Sequence, residues 1–278
     1  MGCRSLKAVS SLERNRVSKV DYIETGSGPT VMFLHGIGGG ALGFKYQLEV
    51  FAQAGFHAVA WDMPGYGQSD SLQDMNFPAL ADAMLWLVDQ LDVDTVHAVG
   101  HSIGGMVVQE FARYHQNRLA TLVLAQTSPA FGNPSGDFQK KFVADRLKPL
   151  QEGKTMADIA EDVIPELIAT GTSDDALGLA KACMNQITPD TYSAAMRCIV
   201  TFEGRDNLPR ITRPTLVLAG DQDRNAPAPM MEKMASKIPG AEYVLLTDTG
   251  HLAPIENAQG FNSTVLEFIQ RHQQGLGS

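Results

Sequence analysis

The sequence predicts an α/β fold: a doubly wound, mostly parallel sheet with helices on both faces and one helical insertion. Three observations carry this. Short, continuously apolar runs rich in β-branched residues recur along the chain, as strands buried on both faces require. Amphipathic stretches of helical period separate them. Over residues 131–209 the strand-like runs stop and only helical patterns remain.

In chain order, "VSKVDYIETGSG" (17–28) alternates in polarity and ends in a glycine turn, as an edge or hairpin strand would. The buried strands are then expected at 30–36, 57–62, 95–102, 120–128, 214–221 and 241–248. Helices are expected at 77–91, 103–115, 228–238 and 257–272. Within the break, "DFQKKFVADRL", "MADIAEDVIPELIA", "DALGLAKACMNQI" and "TYSAAMRCIVTF" each read as helical, flanked by "SPAFGNPSG" and "EGRDNLPRITRP". The division expected is a core of residues 1–130 and 210–278, carrying a helical cap at 131–209 whose two ends meet at one sheet edge.

Composition narrows the function classes. The chain has 278 residues, with 44% apolar and 19% charged, a soluble globular balance. Its net charge is −9 and no Lys/Arg cluster interrupts that acidity, which argues against nucleic acid or an anionic membrane as partner. Cys3, Cys183 and Cys198 form no CxxC or zinc spacing, and a sparse odd count fits a reducing compartment. The opening "MGCRSLKAVSSLERNR" lacks the apolar core of a signal peptide, and Leu6 stands where myristoylation wants Ser or Thr. A cytoplasmic location is the expectation.

The stretch "AVGHSIGG" places Ser102 between an apolar strand and a helical pattern, in Gly-x-Ser-x-Gly spacing. Such a corner is tight enough to strain the serine backbone, and side chains at Gly100 or Gly104 would collide where strand and helix meet. The hydroxyl is thereby held out at the sheet edge, next to free N–H groups at a helix start. A serine needs a base, and the base an orienting acid. Among seven histidines, His251 in "TDTGHLAPIEN" follows the last strand on a loop, where an imidazole can hang over the sheet edge. For the acid, "GDQDRNAP" offers Asp221 and Asp223; Asp223 lies further past the strand and reaches better, whereas Asp221 suits a turn cap. Oxyanion donors are expected from the N–H of Ile103 and of Ile37, in the glycine-rich loop "HGIGGG".

Together "HGIGGG", "DMPGYGQSD", "GHSIGG", "AGDQDRNAP" and "TDTGHLAPIENAQGFN" resemble the α/β-hydrolase superfamily over roughly residues 20 to 270. The resemblance implies an eight-stranded, mostly parallel sheet with a helical cap inserted after the sixth strand. It implies Ser102, Asp223 and His251 as nucleophile, acid and base, and Ile37 and Ile103 as the oxyanion hole. The run "MRCIVTFEGRDNLPRITRPTLVLAGDQD" followed by "GHLAPIENAQGFN" is most similar to the 3-oxoadipate enol-lactonase branch.

The expected reaction is acyl transfer from a small carboxylic ester or enol-lactone through an acyl-enzyme, with no metal or organic cofactor. The alternatives are hydrolysis of a carbon–carbon bond in 2-hydroxy-6-oxo-dienoate ring-cleavage products, a perhydrolase activity with peroxide in place of water, and a non-catalytic ligand-binding member of the fold. Carbon–carbon hydrolases often carry Asn before the serine and Trp after the histidine, where this chain has His101 and Leu252. Substrate contacts are expected from His35, Gly36 and Leu252. Met156, Met184, Met196, Phe131, Phe138 and Phe142 are candidates for an apolar pocket. Arg197, on an otherwise apolar helix, is the candidate partner for a substrate carboxylate.

Overall fold

The computed structural model describes residues 15, 17–133 and 135–273; the readings on Cys3 and the first residues lie outside that range. The strands are β1 (Tyr22–Gly26), β2 (Thr30–Leu34), β3 (His57–Trp61), β4 (Val96–His101), β5 (Leu119–Ala125), β6 (Thr215–Gly220) and β7 (Glu242–Leu246). They form one sheet in the order β1-β3-β2-β4-β5-β6-β7. The described residues thus give seven strands where the resemblance implied eight. All pairings are parallel except that of β1 with β3, in register Tyr22↔Trp61 to Gly26↔His57. β1 is therefore an edge strand, as its alternation indicated, but the glycine turn after it forms no hairpin with β2.

The helices are α1 (Lys45–Gln53), α2 (Phe77–Gln90), α3 (Ile103–His115), α4 (Asp137–Gln151), α5 (Met156–Leu167), α6 (Asp174–Asn185), α7 (Pro189–Ile199), α8 (Ala228–Ala235), α9 (Ala253–Glu256) and α10 (Ala258–Gln273). Val31, Phe33, Val99 and Val123 pack on one face of the sheet with Phe51 of α1 and Phe261 and Phe268 of α10. Met32, Leu34, Ala98 and Leu124 pack on the other with Leu80, Met84, Val107, Phe111 and Met231. β2, β4 and β6 are buried along their whole length, which is why they read as unbroken apolar runs. α1 escaped the sequence reading because "KYQLEVFAQ" buries only Gln47, Leu48 and Phe51, too few for a stripe.

The helical break holds α4 to α7, all between β5 and β6. Its ends are tied: Ala130 and Glu203 form an antiparallel bridge, the Phe131 N–H donates to the Phe202 carbonyl at 3.0 Å, and the Gly204 N–H to that of Pro129 at 2.8 Å. Inserted residues such as Ile159, Ile164, Met184 and Tyr192 share the core cluster of the adjoining sheet face.

The junction of β4 and α3 admits only glycine. A Cβ on Gly104 would lie 2.2 Å from the Leu34 carbonyl oxygen, and one on Gly100 2.6 Å from that of Gly104. Both obstacles are backbone and cannot swing away. Gly104→Ala is expected to lower stability by about 3 kcal/mol, read as a fall in the urea midpoint with an unchanged slope; an unchanged midpoint would contradict the packing.

Candidate active site

At the corner between β4 and α3, Ser102 has φ 54° and ψ −121°, a backbone that side-chain-bearing residues rarely adopt. Its N–H donates to the Ala125 carbonyl at 3.0 Å. Its carbonyl accepts from the Thr127 hydroxyl at 2.7 Å, the Gly105 N–H at 3.0 Å and the Met106 N–H at 3.3 Å. The end of β5 thus holds the strained turn from both sides, and the hydroxyl projects past the sheet.

The other members arrive from neighbouring loops. His251 Nε2 lies 3.0 Å from Ser102 Oγ, and His251 Nδ1 lies 2.8 Å from Asp223 Oδ2. Asp223 follows β6 and is fully buried at its side chain; its other oxygen accepts the N–H groups of Asn225 at 2.8 Å and Ala226 at 3.0 Å. Burial alone would raise this carboxyl, but the neighbouring imidazole and the two N–H groups outweigh it and hold it below the usual carboxylate range. A carboxylate that accepts from Nδ1–H leaves Nε2 as the basic nitrogen facing the hydroxyl. Asp221 serves its turn instead, accepting the Thr249 N–H at 3.0 Å.

Ile37 lies on the glycine loop after β2. Its N–H and that of Ile103 make no hydrogen bond among the described residues. A Cβ on Gly36 would sit 3.0 Å from Ser102 Cβ, so this backbone passes directly beside the serine. His35 shapes the loop rather than meeting the cavity: it is buried, its Nδ1–H donates to the Gly36 carbonyl at 2.8 Å, and its Nε2 accepts the Met63 N–H at 3.0 Å. Burial pushes its pKa down, consistent with a neutral ring that uses both nitrogens. "DMPGYGQSD" acts as a buttress. Asp62 accepts the Ala41 N–H at 2.8 Å, Tyr66 packs on the His35 ring, and Asp70 ties Ser18 and Lys19 beside the edge strand.

Ser102 and His251 open on a cavity of about 350 Å³. Ile37, Met106, Met184, Met196, Phe131, Phe138 and Phe142 line it, while Met156 is buried in the core cluster and does not. Arg197 is a correction: it is exposed and takes no part in the lining. It sits on the outward side of α7, whose buried side holds Tyr192, Ala195, Met196 and Ile199. The cationic side chains of the wall are Arg146 and Arg224. Arg146 stands over the Phe142 ring, with Glu166 only loosely paired at 3.9 Å. His35, Gly36 and Leu252 line a second, mostly apolar space of about 30 Å³, which shares Ile37 with the main cavity, and none of the three lines the main cavity itself.

The sequence reading used His101 only to weigh one reaction against another and gave it no part in the site. Its ring is buried beside the serine and Nε2 donates to the His251 carbonyl at 2.6 Å, anchoring that residue's peptide. Burial, with a contribution from the nearby His251, pushes its pKa down to about 3. Cys183 and Cys198 are buried thiols whose pKa burial raises to about 11 and about 12, which leaves them unreactive. Among the described residues no cluster of His, Cys, Asp and Glu is suited to a metal ion, and no helix is long and apolar enough to cross a membrane.

Comparison with known proteins agrees with this architecture. The model of the alpha/beta hydrolase family matches residues 31–264. A 2-hydroxy-6-oxononadienedioate/2-hydroxy-6-oxononatrienedioate hydrolase of Burkholderia vietnamiensis is 29% identical, over 95% of this chain and 96% of that protein. A second hydrolase of that name, from Pseudomonas putida, is 30% identical over 91% of this chain and 92% of its own. Among solved structures, a thermophilic esterase from Thermogutta terrifontis superposes with TM-score 0.83 at 27% identity, covering 91% of this chain and 93% of that one. The enol-lactonase from Burkholderia xenovorans gives TM-score 0.81 at 24% identity, over 90% and 96%, a likeness of fold alone.

The two histidines on β4 make stability depend on pH. Burial lowers His101 to about 3 and His97 to about 4, against about 6.5 in an unfolded chain. The unfolded chain then binds protons that the fold excludes. Stability is full above about pH 6.5 and falls as pH drops toward 4, by on the order of 1 kcal/mol per pH unit for each ring. Urea midpoints are expected to decline over that window, and His101→Asn, which cannot titrate, to shallow the decline. A flat profile in the parent protein would contradict the burial of these rings.

Proposed function

The chain belongs to the alpha/beta hydrolase family, and from that premise we propose that it is a serine hydrolase of small carboxylic esters or enol-lactones. The supporting observation is the continuous relay from Asp223 through His251 to Ser102, at 2.8 and 3.0 Å. Residues 131–209 serve as a cap over a core of 1–130 and 210–278.

In this reading His251 Nε2 takes the Ser102 proton as Oγ attacks the substrate carbonyl, and Asp223 stabilises the imidazolium that forms. The tetrahedral oxyanion rests on the N–H groups of Ile37 and Ile103; each important donor of this kind contributes about 3–4 kcal/mol. The imidazolium then protonates the leaving alkoxide or enolate. Water, deprotonated by the same imidazole, releases the acid and restores the serine. A short acyl p-nitrophenyl ester is expected to give a stoichiometric burst of p-nitrophenol. Ser102→Ala is expected to lose the burst and at least about 10⁴-fold in kcat; persistence of turnover in that variant would overturn the reading. The same burst separates an enzyme from a non-catalytic ligand-binding protein.

A second reading, hydrolysis of a carbon–carbon bond in a dienoate ring-cleavage product, is favoured by the names of the relatives at 29% and 30% identity. His101 and Leu252, standing where many such enzymes have Asn and Trp, favour the ester or lactone. Turnover of an enol-lactone against a 2-hydroxy-6-oxo-dienoate decides between them.

Arg146 and Arg224 on the cavity wall suit a substrate that carries a carboxylate away from the scissile bond. Arg146→Gln and Arg224→Gln are each expected to raise KM several-fold for a carboxylated ester relative to its neutral counterpart, while Arg197→Ala leaves that ratio unchanged. Equal effects of Arg146→Gln and Arg224→Gln on both esters would remove the two arginines from substrate recognition.

A further inference from the structure

One short piece of the insertion grips both loops that carry the acid and the base. The His251 N–H donates to the carbonyl of Leu167, the last residue of α5, at 2.7 Å. Two residues on, the Ala169 N–H donates to Glu256 Oε2 at 2.6 Å, and the Thr172 hydroxyl approaches the same oxygen at 3.3 Å. The other oxygen of Glu256 accepts the N–H of Leu252, the residue after the base, at 2.7 Å. The Thr170 N–H donates to Gln222 Oε1 at 3.0 Å, one position before Asp223. The contact is backbone against backbone: a Cβ on Gly250 would lie 2.6 Å from the Leu167 carbonyl oxygen and 2.7 Å from the Ala169 nitrogen.

None of these bonds is used in the proton relay, whose imidazole is already paired at both nitrogens. They act on the backbone around His251 and, through Gln222, on the loop of Asp223. His101 holds its carbonyl from the core side, and Leu167 holds its N–H from the insertion side. Glu256, on the short helix α9, spans the seam with one oxygen on each side, through charge-assisted bonds roughly twice as strong as neutral ones.

We propose that Glu256 is a positioning residue that latches the 167–172 stretch of the insertion onto the His251 loop, so that the imidazole reaches Ser102 only while that stretch is docked. The inference rests on the serine-hydrolase reading above. It makes docking of the insertion a condition for a competent base even with a substrate too small to fill the cavity. A displacement of about 1 Å at a reacting group can lower turnover by about 10²-fold, so loss of the latch acts on kcat more than on KM.

The test combines amide hydrogen exchange with kinetics on a short p-nitrophenyl ester. In Glu256→Ala, peptides covering 167–172 and 250–253 are expected to exchange at least about tenfold faster together, with kcat reduced about 10- to 100-fold and KM within about threefold. Glu256→Gln, which keeps the shape and one carbonyl acceptor, is expected to fall between that variant and the parent. If Glu256→Ala does not fold, Gln222→Met cuts the neighbouring strap and is expected to show the same paired opening with a smaller loss of kcat. The proposal is overturned if 167–172 opens while 250–253 stays protected, or if both open and kcat is unchanged. Failure of the serine-hydrolase reading shows separately, as turnover that survives Ser102→Ala, and the exchange measurement does not depend on turnover.

Discussion

The backbone of Ser102, bent to φ 54° and ψ −121°, is the constraint around which the molecule is arranged. A conformation of this kind costs about 1–3 kcal/mol and persists only where its surroundings over-determine it. Here the N–H is held by Ala125 and the carbonyl by Thr127, Gly105 and Met106. Gly100 and Gly104 let β4, α3 and the end of β2 close to backbone contact, and Gly36 lets the loop bearing Ile37 pass beside Ser102. Relaxing the bend would withdraw the hydroxyl from His251 and turn the N–H of Ile103 away from the same point. The parallel order of β2, β4, β5 and β6 brings the loops bearing Ile37, Ser102, Thr127 and Asp223 to one end of the sheet.

Much of this was legible because its signals are local. A glycine–serine–glycine corner between a strand and a helix, a glycine loop after an earlier strand, and an acid and a histidine after later strands are each visible within ten residues. Pairing is not local. β1 alternates as an edge strand should, but nothing in its sequence says that it lies against β3 and not beside β2. Arg197 was misplaced for a related reason: a lone charge on an amphipathic helix marks the face that turns outward, and α7 buries its apolar face on the core. Arg146, which does line the cavity, lies in the polar helix "DFQKKFVADRLKPLQ", where one arginine among lysines and aspartates carries no distinguishing mark.

His101 and Glu256 escaped for a third reason. Both act on peptide groups of distant residues, 150 positions away for His101 and 87 for the bond from Ala169 to Glu256. Backbone donors and acceptors leave no trace in residue identity. The side chains that serve them look like an ordinary neighbour of a motif or an ordinary helical glutamate. On the proposed reading the site is therefore wider than the relay of Asp223, His251 and Ser102. It includes the imidazole of His35 that shapes the loop bearing Ile37, the buttress of Asp62 and Tyr66 behind it, and the insertion that touches the His251 loop. The insertion supplies much of the cavity wall, through its aromatic and methionine side chains and Arg146, and on the proposed reading it is where specificity would be set.

Covalent trapping with a fluorophosphonate, followed by mass spectrometry of the proteolysed protein, is the most direct measurement of whether the bend at residue 102 makes a nucleophile. One phosphonyl group per chain, located on Ser102 and absent after acid unfolding before exposure, is the result this account predicts. An unlabelled protein, or label carried by a different residue, would contradict it.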